Sequence, residues 1–160
     1  MKYSFKNDYS EGCHPKILEA LSQYNLDQQN GYGLDIYSEN TANIIREKTK
    51  TPQSRVHLVS GGTQANLIVI SSILRPHESV VSANTGHIFT NETGAIEATG
   101  HKVHGVETKD GKLRPEDIQN VLDVHTNVPH QVKQKLVYIS NSTEVGTIYT
   151  KKELENLSEF

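Results

Sequence analysis

The chain has 160 residues, 34% of them apolar, with one cysteine and no tryptophan. Its 16 basic and 19 acidic residues are well mixed and leave a net charge of −3, which argues against a nucleic-acid partner and against an anionic membrane surface. Cys13, the single cysteine, can form neither an intramolecular disulfide nor a multi-cysteine zinc site.

Residues 1–8 contain no apolar run, so no secretory leader is expected. The longest apolar stretch, near 67–74, is far too short to cross a bilayer, and a soluble cytoplasmic protein is the expectation. An extended arm comes first. Pro15 then opens a helix with Ile17, Leu18 and Leu21 on one face. Gly31-Tyr32-Gly33 breaks the pattern as a loop able to approach another group closely. A second helix is predicted from Ser38, capped by that serine, with Pro52 past its end. From Arg55 the pattern changes. Strands are predicted at 56–59, 80–83, 102–106 and 136–140, with helices at 63–70, 92–99, 115–122 and from 152 onward. The helix at 63–70 is apolar nearly all round and is expected to be buried. Strands alternating with helices predict an α/β fold: a mainly parallel sheet, helices on both faces, and the site at the C-terminal ends of the strands. The chain stops at Phe160, about two turns into a helix, which reads as a fragment of a longer protein.

The strongest local motif is Ser60-Gly61-Gly62-Thr63-Gln64-Ala65-Asn66, a strand end, two glycines and a helix start. The free N–H groups and dipole of a helix N-terminus favour an anion such as phosphate, and the Thr63 hydroxyl can donate as well. The alternative is a tight turn that binds nothing. No Gly-Lys-Ser/Thr follows, so this is not a nucleotide P-loop. Among the eight histidines, none has the spacing of a metal site, and scattered surface histidines are the better reading. His87 differs, since it follows the second predicted strand in Gly86-His87-Ile88; an imidazole there either stacks on a flat cofactor or is an ordinary loop side chain. Glu144, in Asn141-Ser142-Thr143-Glu144 after the fourth predicted strand, falls on the same sheet edge.

Together, Asn7-Asp8 in the arm, Tyr32-Gly33 followed by Asp35, the 60–66 motif, Gly86-His87-Ile88 and Glu92-Thr93-Gly94-Ala95 resemble the threonine aldolase / β-eliminating lyase family over essentially the whole chain. The resemblance implies a pyridoxal 5'-phosphate enzyme of the aspartate-aminotransferase fold type (fold type I), with a three-layer α/β/α large domain. It implies residues 1–52 as N-terminal arm and helices, and 53–160 as the first part of the cofactor-binding large domain. By the same resemblance Gly62 and Thr63 hold the cofactor phosphate, and His87, also a catalytic candidate, stacks on the cofactor ring. Asn7 and Tyr32 lie near the substrate, a small amino acid, and the assembly is a homodimer or homotetramer. Two departures stand out. Glu144 replaces a family histidine that contacts the substrate side chain, and the lysine that binds the cofactor covalently has no counterpart before Phe160. The expected function is a threonine aldolase-like lyase acting on a β-hydroxy amino acid. A same-fold β-eliminating lyase or aminotransferase and a non-catalytic truncated chain are the alternatives.

Overall fold

The computed structural model describes residues 3–4 and 10–160. The chain divides into two compact units, Met1–Leu58 and Val59–Phe160.

In the first unit, α1 (Pro15–Tyr24) starts where proline presets the first turn, and the His14 ring accepts from the Lys16 N–H at Nδ1, 3.2 Å. Helix α2 (Ile36–Thr49) begins two residues before the predicted start at Ser38. Asp35 is its cap: the carboxylate accepts from the Ser38 N–H at 2.8 Å and from the Ser38 hydroxyl at 2.6 Å. A short, charged acceptor at the positive end of the helix outcompetes the neutral serine, which becomes a donor. Lys50 closes α2 in the left-handed region, φ 55°, with its N–H on the Arg46 and Glu47 carbonyls. None of the described residues of this unit is buried, and Ile17, Leu18 and Leu21 lie on an exposed α1 face.

The strand predicted at 56–59 is not formed. An isolated extended segment has no ladder, and among the described residues no strand lies beside it to supply one.

The second unit holds a three-stranded parallel sheet in the order β2-β1-β3, with β1 (Glu78–Ala83) in the centre, β2 (Val103–Val106) and β3 (Lys133–Tyr138). Strand β3 starts three residues before the predicted 136–140 segment. Its polar start, Lys133-Gln134-Lys135, conceals it: Gln134 and Leu136 pair with consecutive residues Ser79 and Val80, leaving Lys135 as the extra residue of a bulge. Side chains of β1 alternate between two cores. Val80 packs with Ile70 of α3 (Gly62–Ile73), Leu74 just past its end, Ile88 of α4 (His87–Thr90), Ile96 and Val103. Val81 and Ala83 pack with Leu113, Val106 and Ile139, and with Val121 of α5 (Pro115–Val124). Helices therefore cover both faces, as predicted. The chain passes from β1 to β2 by way of α4, then back past β1 to β3 by way of α5. All three strands are parallel, so their C-terminal ends share one edge of the sheet, the edge where α/β proteins place ligands. Beyond β3, Tyr149 and α6 (Lys151–Glu159) are tied to the turn ahead of α5: the buried Leu113 N–H donates to the Tyr149 hydroxyl at 2.6 Å, and Lys112 Nζ pairs with Glu153 at 2.7 Å.

Three further expectations are corrected. Helix α3 is not buried all round: Ile70 is 2% exposed, but Ile68, Val69 and Ile73 are about half exposed, because one side alone meets the sheet. The helix predicted at 92–99 shrinks to a 3-10 turn at Glu97–Thr99, since Thr93 and Gly94 take positive φ, 50° and 76°, and break the α pattern. His101 and His104 are not surface histidines. They are 5% and 7% exposed, with His101 Nδ1 3.1 Å from the Glu78 carbonyl and His104 Nε2 3.1 Å from the Ser79 hydroxyl. Each ring thus has a hydrogen-bond partner on β1, and Gln134 adds a second contact to His104 Nε2 at 3.2 Å, which lowers the cost of burial.

Among the described residues no helix is long and apolar enough to cross a membrane.

Candidate functional site

Gly61 is the N-cap of α3 and offers no side-chain acceptor. The first intrahelical bond runs from the Ala65 N–H to the Gly61 carbonyl, 3.1 Å. The N–H groups of Gly62, Thr63 and Gln64 and the Thr63 hydroxyl therefore have no partner among the described residues, and all three residues are exposed. A Cβ placed on Gly62 would meet nothing within 4 Å, so the approach to these amides is open. The Gln64 side chain turns aside to accept from the Ser60 N–H and hydroxyl, at 2.7 and 2.8 Å, and stiffens the glycine turn. Unpartnered donors at the positive end of a twelve-residue helix offer a cup suited to an anion.

His87 opens α4 at the C-terminal end of β1, 40% of its side chain exposed. Gly86 must be glycine there, because a Cβ would fall 2.2 Å from the Ser82 hydroxyl oxygen and 3.0 Å from the Ala83 carbonyl. The imidazole Nδ1 lies 3.0 Å from Glu92 Oε1, and the same oxygen accepts from the Asn66 side-chain amide at 2.6 Å. Glu92 is 4% exposed. Asn66 stands one turn beyond Gly62 on α3, so a two-bond relay joins the helix of the anion cup to the imidazole. Sequence reading noted Glu92 within a motif but assigned no role to it or to Asn66. The available signal was spacing: Asn66 four residues after Gly62 on one helix side, and an acid five residues after His87 in an otherwise small and polar loop.

Buried polar atoms without partners among the described residues are Asn84 Oδ1 and Thr85 Oγ1 after β1, Thr108 Oγ1 after β2, and Glu92 Oε2. Each such atom costs about 1–3 kcal/mol, and proteins retain that cost chiefly where a ligand or function needs the group. Asn84, Thr85 and Thr108 lie just beyond strand C-terminal ends, and Glu92 follows α4. An open amide cup, a part-exposed imidazole and unsatisfied polar groups at one sheet edge suit a ligand with an anionic end and a flat ring, and pyridoxal phosphate has both.

Glu144 follows β3 on that same edge; it is exposed and accepts from the Ser140 hydroxyl at 3.2 Å. Tyr32 belongs to the first unit. It holds φ 63°, an uncommon conformation for a bulky residue, and lines a cleft of about 710 Å³ with Arg46 and His57. Asn7 lies outside the described residues. Among the described residues no group of three or more His, Cys, Asp or Glu side chains could hold a metal ion.

The beta-eliminating lyase family matches residues 8–160. The chain is 29% identical to a low specificity L-threonine aldolase of Pseudomonas aeruginosa, over 96% of this chain and 44% of that protein. It is 31% identical to the enzyme of the same name from Pseudomonas sp. (strain NCIMB 10558), with the same coverage. A solved structure of Leishmania major threonine aldolase superposes with a TM-score of 0.92 at 53% identity, over 99% of this chain and 46% of that one. The chain thus spans under half the length of these relatives.

Proposed function

Because the chain belongs to the beta-eliminating lyase family, we propose that it forms the cofactor-phosphate and ring-stacking part of a pyridoxal-phosphate-dependent lyase of the threonine aldolase kind, which splits a β-hydroxy amino acid into glycine and an aldehyde. The observation that carries this reading is the relay-linked pair of stations at one sheet edge: the unpartnered amides of Gly62 and Thr63, and His87 held by Glu92. Residues 53–160 are taken as the first part of the cofactor-binding domain. A cytoplasmic homo-oligomer, dimer or tetramer, is part of the proposal, and the exposed apolar side chains of the first unit are consistent with it.

When bound, pyridoxal phosphate supplies an electron-withdrawing ring that accepts the electron pair released as a bond to the substrate Cα breaks. The side chains of this chain do the rest. Gly62 and Thr63 donate to the phosphate from a helix N-terminus, which fixes one end. His87 covers the ring and keeps water from one of its faces, with Nδ1 tied down by Glu92. Glu144, as a carboxylate, accepts a hydrogen bond from a substrate hydroxyl and repels an acidic side chain. Asn7 and Tyr32 are proposed near the substrate on the strength of the family resemblance. The lysines of α6 and of β3 do not sit at strand C-terminal ends, and none is assigned the covalent anchor.

Glu144 also favours a second reading, a same-fold lyase or aminotransferase with other chemistry, because a carboxylate replaces an imidazole where the substrate side chain is read. The test is product analysis with the intact protein and pyridoxal phosphate. Glycine and acetaldehyde from threonine support the aldolase. Pyruvate or a keto acid from other amino acids supports the alternative, and no turnover of any amino acid removes both.

A further inference from the structure

We propose that Glu92 and Asn66 are positioning residues: they lock the His87 imidazole as its Nδ1–H tautomer and fix its place relative to the anion cup of α3. Asn66 donates to Glu92 Oε1 through its Nδ2–H group, so that oxygen is an acceptor, and at 3.0 Å the same oxygen faces His87 Nδ1. Nδ1 must then carry the proton. In the neutral form of the ring Nε2, which has no partner among the described residues, then carries the bare lone pair. A buried carboxylate orients a functional histidine in this way when ring angle and tautomer both matter.

The geometry also argues against a merely structural contact. Glu92 is buried with Oε2 unsatisfied, a cost that an apolar residue of similar size would avoid. What the carboxylate provides instead is a rigid link between two separate segments, with one bond to the helix that bears Gly62 and Thr63 and one to the ring that follows β1. Phosphate cup and imidazole are thereby held at one spacing before any ligand arrives. Placement over a cofactor ring rests on the function proposed above, whereas the tautomer does not.

The experiment uses the intact protein labelled with 15N-histidine, without cofactor. Two-bond proton–nitrogen spectra should give His87 in the wild type as a single Nδ1–H tautomer. Glu92→Ala should give a mixture of tautomers, and Glu92→Gln, whose amide oxygen still accepts, should restore the Nδ1–H form. An Nε2–H ring in the wild type, or an unchanged tautomer in a folded Glu92→Ala variant, overturns the proposal. If Glu92→Ala does not fold, the wild-type tautomer and the Asn66→Ala variant decide. Asn66→Ala should bind pyridoxal phosphate about tenfold more weakly than wild type, while competing inorganic phosphate binds as before. Equal pyridoxal phosphate affinity overturns the spacing role. A wild-type protein that binds no pyridoxal phosphate defeats the cofactor reading, and the tautomer result then stands by itself.

Discussion

Acidification should destabilise the second unit through His104. This ring sits on β2 opposite Val81, with its Nε2 near Ser79 Oγ at 3.1 Å and Gln134 Nε2 at 3.2 Å, and its edge against the His125 ring. Burial, then the nearby Lys102 and His125, pushes its pKa from the ordinary 6.5 down to about 4. The folded state therefore excludes the charged ring, while the unfolded chain takes up the proton below 6.5. Stability from this group is complete above 6.5 and is lost as pH falls from 6.5 towards 4. A fall of that size is worth up to about 3 kcal/mol, from roughly 1.4 kcal/mol per tenfold change in proton affinity. Urea unfolding of the intact protein should show a midpoint that drops across this window. His104→Gln, which keeps a neutral hydrogen-bonding side chain, should flatten the drop even if it lowers stability at neutral pH. Equal acid sensitivity in wild type and His104→Gln would refute the reasoning.

Tyr149→Phe removes the acceptor of the buried Leu113 N–H and should cost about 1–3 kcal/mol by urea unfolding; a change within ±0.5 kcal/mol would mean that water or a carbonyl replaces the hydroxyl. Gly86→Ala forces a Cβ against buried Ser82 and the Ala83 carbonyl, and should cost about 1–3 kcal/mol while displacing His87, read as a changed His87 ring signal by NMR. Glu144→Ala should change the ratio of threonine to serine cleavage; an unaltered ratio and rate would remove Glu144 from substrate selection.

Strand alternation was legible because β1 is apolar on both sides, with Val80 and Val81 serving opposite cores. The start of β3 was hidden for the reverse reason: Lys133 and Lys135 point to solvent and Gln134 bonds a buried histidine, so no apolar run marks it. The segment at 56–59 has strand composition, yet pairing is a property of neighbours, and none lies beside it among the described residues. Glycines and a helix start marked the Gly62–Thr63 turn as a candidate in the sequence because the role proposed for it is one of backbone N–H groups. The Asn66–Glu92–His87 relay was not readable, because it depends on α3 and the loop after α4 meeting across 26 residues of chain.

The central assignment, an anion cup at Gly62–Thr63 that holds a cofactor phosphate, is tested most directly by the affinity of the intact protein for pyridoxal phosphate, followed by absorbance or fluorescence titration, in wild type and Thr63→Ala. Loss of one charge-assisted hydrogen bond should raise Kd about tenfold, corresponding to about 1–2 kcal/mol, with the fold unchanged by circular dichroism. Equal affinity in the two proteins would contradict the assignment and place the phosphate elsewhere.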